Sequence, residues 1–332
     1  MINKGKNETR INGEIILFSL ITILILLSFI SLFIGVNDIN MKDILSGDSE
    51  KINILLLSRI PRLMSITLSG IALSIAGVIM QRISNNKFVS PTTAATMDSA
   101  KFGVLLCMLL FSSAGIMTKM IISLLFSILG TVIFMKILNK IKFKNSVFVP
   151  LVGMMVGSVI GAITDFLAYK YNVMQNMTSF LQGDFSMILK GKYEILYFII
   201  PLVIIAFMYA KKFTLVALGE DMATNLGLSY QKVIKIGVII VAVISALVVV
   251  TVGSIPFIGL IVPNIISMFM GDNLKGSLAI TALSGGVFVL ICDIFGRLII
   301  YPYELPISLT VGVIGSIIFL FLILRNQKCS MA

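Results

Sequence analysis

Two uncharged apolar runs constrain this chain more than any other feature. Residues 15–34 and residues 305–324 each extend for 20 positions without Asp, Glu, Lys or Arg. A helix rises about 1.5 Å per residue, so each run can cross a bilayer core of about 30 Å. The first run lacks a small-residue cleavage site and is too long for a signal-peptide core, which favours a retained span. The chain is therefore predicted to be an all-α, polytopic membrane protein.

Further apolar stretches set the number of helices. The run 236–270 is too long for one straight span, and its expected break is the sequence GSIP at 253–256, because Pro lacks a backbone donor and Gly relaxes the dihedral limits. The other uncharged stretches are 63–80, 102–117, 120–135, 146–164, 195–210 and 276–292. Together the runs predict about ten transmembrane helices in a single domain of residues 1–332.

Basic residues divide unevenly between the two sides of the membrane when the N-terminus is placed inside. Sixteen fall on the cytoplasmic side, namely Lys4, Lys6, Arg10, Arg82, Lys87, Lys136, Lys140, Lys142, Lys144, Lys211, Lys212, Lys232, Lys235, Lys275, Arg325 and Lys328. Nine fall outside, namely Lys42, Lys51, Arg59, Arg62, Lys119, Lys170, Lys190, Lys192 and Arg297. Cytoplasmic loops are rich in Lys and Arg, so both termini are predicted to be cytoplasmic, and 211–235 is the longest cytoplasmic loop.

Missing residue types exclude several classes of function. The chain has no His, and Cys107, Cys292 and Cys329 are too scattered for a disulfide framework or a metal site. No cofactor or metal is therefore expected. The sequence also has no cluster of catalytic groups that would indicate an enzyme. The net charge of +11 is better explained by cytoplasmic loops than by nucleic acid. The G-x-x-x-x-G-K-[ST] motif is absent from the sequence, so a partner would have to use ATP if transport depends on it.

The segment LGEDMATNLG, residues 218–227, is polar within a very apolar chain. Its residues Leu218, Met222 and Leu226 recur every four positions and so share one face of a helix, while Glu220 and Asp221 lie elsewhere. This pattern is typical of a small docking element.

Four stretches resemble the FecCD-like permease subunits of type II ATP-binding-cassette importers, the permeases for ferric siderophores, haem and vitamin B12. These are RIPRLMSITLSGIALSIAGVIMQ (59–81), LGEDMATNLGLSYQKV (218–233), IPFIGLIVPN (255–264) and YELPISLTVGVIGSIIFLFLILR (303–325). The resemblance implies ten helices per subunit, a second permease subunit that is identical or homologous, and a cytoplasmic ATPase dimer. It also implies an extracytoplasmic substrate-binding lipoprotein or periplasmic protein, and a place in the bacterial plasma membrane.

The resemblance assigns the polar segment to ATPase coupling. The residues concerned are Leu218, Gly219, Glu220, Asp221, Met222, Ala223, Leu226 and Gly227. Apolar residues can fill a groove on the ATPase while the two acids meet its rim, and the glycines can bound the helix. The alternative is an amphipathic loop lying on the lipid surface. Such a loop should carry Lys or Arg toward anionic lipid, and this segment carries two acids instead.

Three arginines lie where positive charge is normally sparse. By resemblance, Arg59, Arg62 and Arg297 pair with glutamates of the binding protein at the outer face. The alternative is interfacial snorkelling, and Asp293, four residues before Arg297, could satisfy that arginine by itself.

Several residues within the spans are candidates for the translocation pathway. Asp98 and Lys101 lie one helical turn apart, and an intramembrane charge commonly faces a protein or water-filled interior; the alternative is a self-neutralising pair that only orients the helix. Asp165 has no evident local partner. Gly153, Gly157 and Gly161 recur every four residues, which permits close helix packing, and by resemblance their helix lines the pathway.

The cargo is predicted to be a ferric siderophore. The stretch FVSPTTAATMDSAKFGVL (88–105) resembles the subgroup for catecholate-type siderophores, including petrobactin-like compounds. Haem and vitamin B12 remain alternatives, as does an ATP-independent secondary transporter. One position departs from the family pattern: Asn264 stands where His is common, and Asn cannot titrate.

Overall fold

The computed structural model describes residues 2–35, 48–111, 113–140, 148–271 and 273–330. Lys42, Lys142 and Lys144, which contributed to the orientation argument, lie outside these ranges. The described helices are α1 (Ile2–Phe33), α2 (Ser49–Ile54), α3 (Ile60–Ile83), α4 (Thr96–Leu110), α5 (Ile116–Lys140), α6 (Phe148–Lys170), α7 (Met174–Leu181), α8 (Ile199–Val216), α9 (Glu220–Asn225), α10 (Tyr230–Thr251), α11 (Ile258–Met270), α12 (Leu274–Leu298) and α13 (Ile307–Ser330). This part of the chain contains no β-strand, which confirms the all-α prediction.

Seven helical stretches within the described residues are long and apolar enough to cross a membrane. They are Gly13–Phe33, Ser49–Ile83, Ile116–Lys140, Phe148–Lys170, Glu194–Val216, Tyr230–Thr251 and Gly276–Leu298. Two shorter apolar helices are Ile258–Met270 and Ile307–Leu322. The stretch Ser49–Ile83 is continuous because a π-helical turn, Leu55–Arg59, joins α2 to α3.

The structure confirms one predicted boundary and corrects another. α10 ends at Thr251 and α11 begins at Ile258, so the long apolar run is broken where the sequence predicted. The predicted limits of the span at 102–117 are wrong, because α4 occupies Thr96–Leu110. The helix extends back through Asp98 and Lys101, whose charges compensate each other in an ion pair.

Buried helices in the centre carry the packing. In Ser49–Ile83 and in Tyr230–Thr251, 72% of the most apolar 18-residue stretch is buried. The corresponding share is 6% in α1 and 22% in α6. Close backbone contacts join the central helices: a Cβ at Gly70 of α3 would lie 2.5 Å from the Gly285 carbonyl of α12. Small residues thus let these helices approach more closely than larger side chains allow. The peripheral helices leave apolar surface for lipid or a partner.

The bundle has two polar ends. At one, which we call the arginine end, the Arg297 side chain of α12 reaches the Ile34 carbonyl just after α1. At the other, the coupling end, Arg82 at the end of α3 and Leu218 after α8 line one cavity. Residues predicted to share a membrane side therefore lie at the same end of the bundle in these two cases.

Candidate functional site

The polar segment 218–227 forms a short helix at the coupling end. α8 ends at Val216, α9 spans Glu220–Asn225, and α10 begins at Tyr230. Ala223, on the inner face of α9, is fully buried. The apolar side chains face the opposite way and are exposed by 51% at Leu218, 57% at Met222 and 60% at Leu226. The segment thus presents an apolar stripe to its surroundings and not to its own bundle.

Two glycines bound α9, as the sequence predicted. Gly219 has φ +97° and Gly227 has φ +79°, the left-handed region in which glycine is favoured. A Cβ at either position would meet nothing within 4 Å, so backbone conformation and not crowding within this chain calls for glycine. The amide of Gln231 on α10 donates to the Glu220 carboxylate at 3.1 Å, which fixes the start of α9.

The arginine end contains a compact cluster of charges. Arg62 Nη2 lies 2.8 Å from Asp293 Oδ1, and Arg62 Nη1 lies 2.6 Å from Glu304 Oε2. Arg297 Nη2 lies 2.6 Å from Asp293 Oδ2. Asp293 therefore bridges two arginines, one on α3 and one on its own helix α12.

Backbone carbonyls accept hydrogen bonds from the guanidinium groups of the other two arginines. Arg297 Nη1 donates to the carbonyls of Ser31 and Ile34 at 3.0 and 2.9 Å. Arg59 Nη1 donates to the Leu32 carbonyl at 2.6 Å. Only 8% of Arg59 and 4% of Arg297 is exposed. The three arginines predicted for docking are thus directed into the chain, and the alternative pairing of Arg297 with Asp293 is present.

The ion pair between Asp98 and Lys101, the alternative to a pathway role, is present. Lys101 Nζ lies 3.1 Å from Asp98 Oδ1, and each side chain is 27% exposed. The Asp98 carboxylate packs over α6, where a Cβ at Gly157 would stand 2.5 Å from Asp98 Oδ2. The structure therefore brings Asp98, Lys101 and Gly157 together.

The remaining residues predicted on α6 have different surroundings. Gly153 is buried against the Thr93 carbonyl, whereas Gly161 has open space where a Cβ would stand. Gly153 and Gly157 therefore pack closely against α4 and the loop before it, and Gly161 does not pack closely within this chain. Asp165 is exposed, on a helix whose outward residues include Met155 and Phe166, exposed by 62% and 64%.

Sequence reasoning missed two polar contacts. Glu304 completes the arginine cluster, and its only sequence signal is an acid beside the apolar α13. Asn264 Nδ2 donates to the carbonyls of Lys87 and Leu260, both at 2.8 Å, and so joins α11 to the loop after α3. Among the residues that the structure describes, no group of three His, Cys, Asp or Glu residues could hold a metal ion.

Comparison with known proteins gives a consistent pattern. The model of the FecCD transport family matches residues 23–325. The petrobactin import system permease protein YclN of Bacillus subtilis (strain 168) is 54% identical over 308 residues, covering 93% of this chain and 98% of that protein. The ferric-anguibactin transport system permease protein FatD of Vibrio anguillarum is 38% identical, covering 90% of this chain and 95% of that protein.

A solved structure shares the fold. It is described as an inward-facing conformation of a metal-chelate type ABC transporter, with a TM-score of 0.80 and 24% sequence identity. The match covers 93% of this chain and 99% of that one. The helix arrangement described above is therefore a fold already seen in a solved structure.

Proposed function

This chain belongs to the FecCD transport family, and from that membership we propose that it is the permease subunit of an ATP-binding-cassette importer that moves a ferric siderophore into the cytoplasm. The observation that carries the choice of cargo is the similarity to a petrobactin permease along nearly the whole chain. A catecholate-type siderophore of the petrobactin kind is the proposed substrate. The permease is not an enzyme, because it makes and breaks no covalent bond and a separate subunit hydrolyses ATP.

We place ten helices in the bacterial plasma membrane, with both termini in the cytoplasm. The seven long apolar helices, the two shorter apolar helices and α4 account for the ten. The excess of Lys and Arg at the coupling end supports its cytoplasmic placement. The poorly buried helix α6 then faces a second permease subunit across a central pathway, and Asp165 and Gly161 lie on the side left open in one subunit.

The exposed stripe of α9 supports docking to an ATPase dimer. Leu218, Met222 and Leu226 would enter a groove of the ATPase, while Glu220 and Asp221 meet polar groups at its rim. ATP binding closes the ATPase dimer, and α9 passes that movement to the helices on either side of it. The two permease subunits then open the pathway to one side of the membrane at a time.

The arginine end is the proposed outer face, where a substrate-binding protein docks. Arg62 is the most accessible of the three arginines, with 12% of its side chain exposed beside a Glu304 that is 25% exposed. An acid of the binding protein could replace Glu304 as its partner. Arg59 and Arg297 would support this contact from beneath by holding α1 and α12 in place.

Co-purification tests this assignment directly. The tagged wild-type chain, solubilised mildly from its native membrane, should retain an ATPase together with a second permease subunit, which is either another copy or a related chain. Intact cells that express the chain should take up ⁵⁵Fe-labelled ferric petrobactin. Glu220→Lys/Asp221→Lys should lose the ATPase. Uptake of haem or vitamin B12 instead of the siderophore would show that the proposed cargo is wrong. Uptake by a chain that never retains an ATPase would favour a secondary transporter.

A further inference from the structure

A second candidate site lies at the arginine end, away from the residues considered so far. A cavity of about 610 Å³ opens between the start of α5, helix α7, the loop after α7 and the end of α10. Its polar lining residues are Lys119, Asn176, Ser179, Gln182, Asp184, Lys192 and Thr251. A backbone bond from Lys190 to the Leu57 carbonyl places the loop beside the start of α3. The volume falls within the range of about 300–1,000 Å³ found for small-molecule sites.

Backbone hydrogen bonds build one wall of this cavity. The Ser254 amide donates to the Leu181 carbonyl at 2.9 Å, and the Asp184 amide donates to the Val252 carbonyl at 3.1 Å. Gly253, between these partners, has φ +93°, and a Cβ there would lie 2.7 Å from the Gln182 carbonyl. The positions of Gln182 and Asp184 are therefore set by the backbone before any ligand binds.

The charges of the cavity are unbalanced. Of the residues that the structure describes, none places a carboxylate within ion-pair distance of Lys119 or Lys192. Lys119 Nζ stands 5.0 Å from the centre of the Phe180 ring, and this lysine lies in the first turn of α5, where the helix dipole adds positive potential. Asp184, the one acid of the lining, accepts hydrogen bonds from the backbone amide and hydroxyl of Ser186, both at 2.8 Å.

We propose that this cavity binds an anionic ligand that also carries an apolar or aromatic part, namely the anionic ferric chelate itself. The assignment rests on the proposed function. Lys119 and Lys192 would pair with anionic oxygens, and the amides and hydroxyl of Asn176, Gln182 and Ser179 would complete their hydrogen bonding. Phe180 and the apolar lining, which includes Ile188 and Val252, would contact the organic part of the chelate.

The same chemistry suits the headgroup of an anionic lipid, so the experiment must separate the two sources. The assembled importer is placed in nanodiscs of phosphatidylcholine alone, which supplies no anionic lipid. Equilibrium dialysis then measures the binding of ⁵⁵Fe-labelled ferric petrobactin to wild type, Lys119→Gln/Lys192→Gln and Lys119→Arg/Lys192→Arg. Lys190→Gln is the matched control, because Lys190 lies in the same loop as Lys192 but does not line the cavity. Retention of the ATPase checks that each variant is folded.

We expect the double Gln variant to raise the Kd at least tenfold, while the double Arg variant and Lys190→Gln stay within about twofold of wild type. An unchanged Kd in the double Gln variant would overturn the proposal. The proposal would also be overturned by a second result. In phosphatidylglycerol nanodiscs, native mass spectrometry would show that the double Gln variant loses a retained lipid while its chelate binding is intact. A wild-type importer that neither binds nor takes up the chelate would refute the proposed function, and with it this ligand.

Discussion

Asp293 and Arg297 lie one helical turn apart on α12 and form a buried ion pair, with only 3% and 4% of their side chains exposed. Asp293 also binds Arg62 of α3, 231 positions away in the sequence. One carboxylate therefore links two helices and neutralises part of the charge of two arginines.

We expect Asp293→Asn to destabilise the permease strongly. The substitution keeps the shape of the side chain but leaves Arg297 without a counter-charge in a buried position, which costs roughly 3–5 kcal/mol for a broken buried pair. The thermal midpoint of the purified protein in detergent measures this loss. Glu304→Gln is the matched control, because Glu304 is 25% exposed and Arg62 keeps Asp293. Equal midpoints for the two variants would contradict the bridging role of Asp293.

The exposed stripe on α9 gives a prediction about assembly. Met222→Ser should weaken ATPase binding by about 2 kcal/mol, close to 30-fold in Kd, because an apolar anchor at the centre of an interface is lost. The thermal midpoint of the permease alone should not change, since Met222 is 57% exposed and packs little within the chain.

Titration of purified ATPase onto the permease measures this Kd. Leu189→Ser is the control, because Leu189 is 47% exposed in the loop at the arginine end. A loss of ATPase binding in the control, or full binding by Met222→Ser, would argue against the coupling assignment.

The glycines of α6 give a matched pair of substitutions. A Cβ at Gly153 would collide with the Thr93 carbonyl, a backbone atom that cannot move without its loop, whereas a Cβ at Gly161 meets nothing within 4 Å. Gly153→Ala should therefore cost roughly 1–3 kcal/mol through overpacking, whereas Gly161→Ala should not lower the stability of the single chain, because alanine favours a helix more than glycine does.

Thermal midpoints of the two variants decide the first half of that prediction. Gly161→Ala also tests the contact with the second permease subunit. This variant should lower ⁵⁵Fe uptake if α6 faces that subunit closely at Gly161. Normal uptake by this variant would remove Gly161 from the set of residues proposed to line the pathway.

Much of the fold follows from local sequence, and the reason is physical. Helix boundaries depend on neighbouring residues, so the break at GSIP and the glycine-bounded α9 could be predicted from the residues themselves. The pairing of Asp293 with Arg297 is of the same local kind. The third span was misplaced because a window based on charge excludes Asp98 and Lys101, although their mutual ion pair allows the helix to include them.

Long-range contacts could not be predicted in this way. Periodicity identifies which residues share a helix face, but not which helix that face meets. Glu304 binds Arg62 across 242 positions, and the amide of Asn264 reaches the Lys87 carbonyl across 177. For the same reason the arginines were expected to face a binding protein, while the folded chain supplies most of their partners.

The Asp98–Lys101 pair allows a structural role to be separated from a role in transport. Lys101→Met leaves a carboxylate without its counter-charge at membrane depth, which should cost up to about 3 kcal/mol on insertion-based scales. The exchange variant Asp98→Lys/Lys101→Asp restores one charge of each sign at the same i,i+3 spacing, so it should recover most of the lost thermal stability. If the pair only orients α4, uptake of ⁵⁵Fe-labelled chelate recovers together with stability. If the pair contacts an anionic cargo, reversed positions present the acid where the lysine stood, and uptake stays low in a stable protein. Recovery of both properties would therefore remove Asp98 and Lys101 from the pathway.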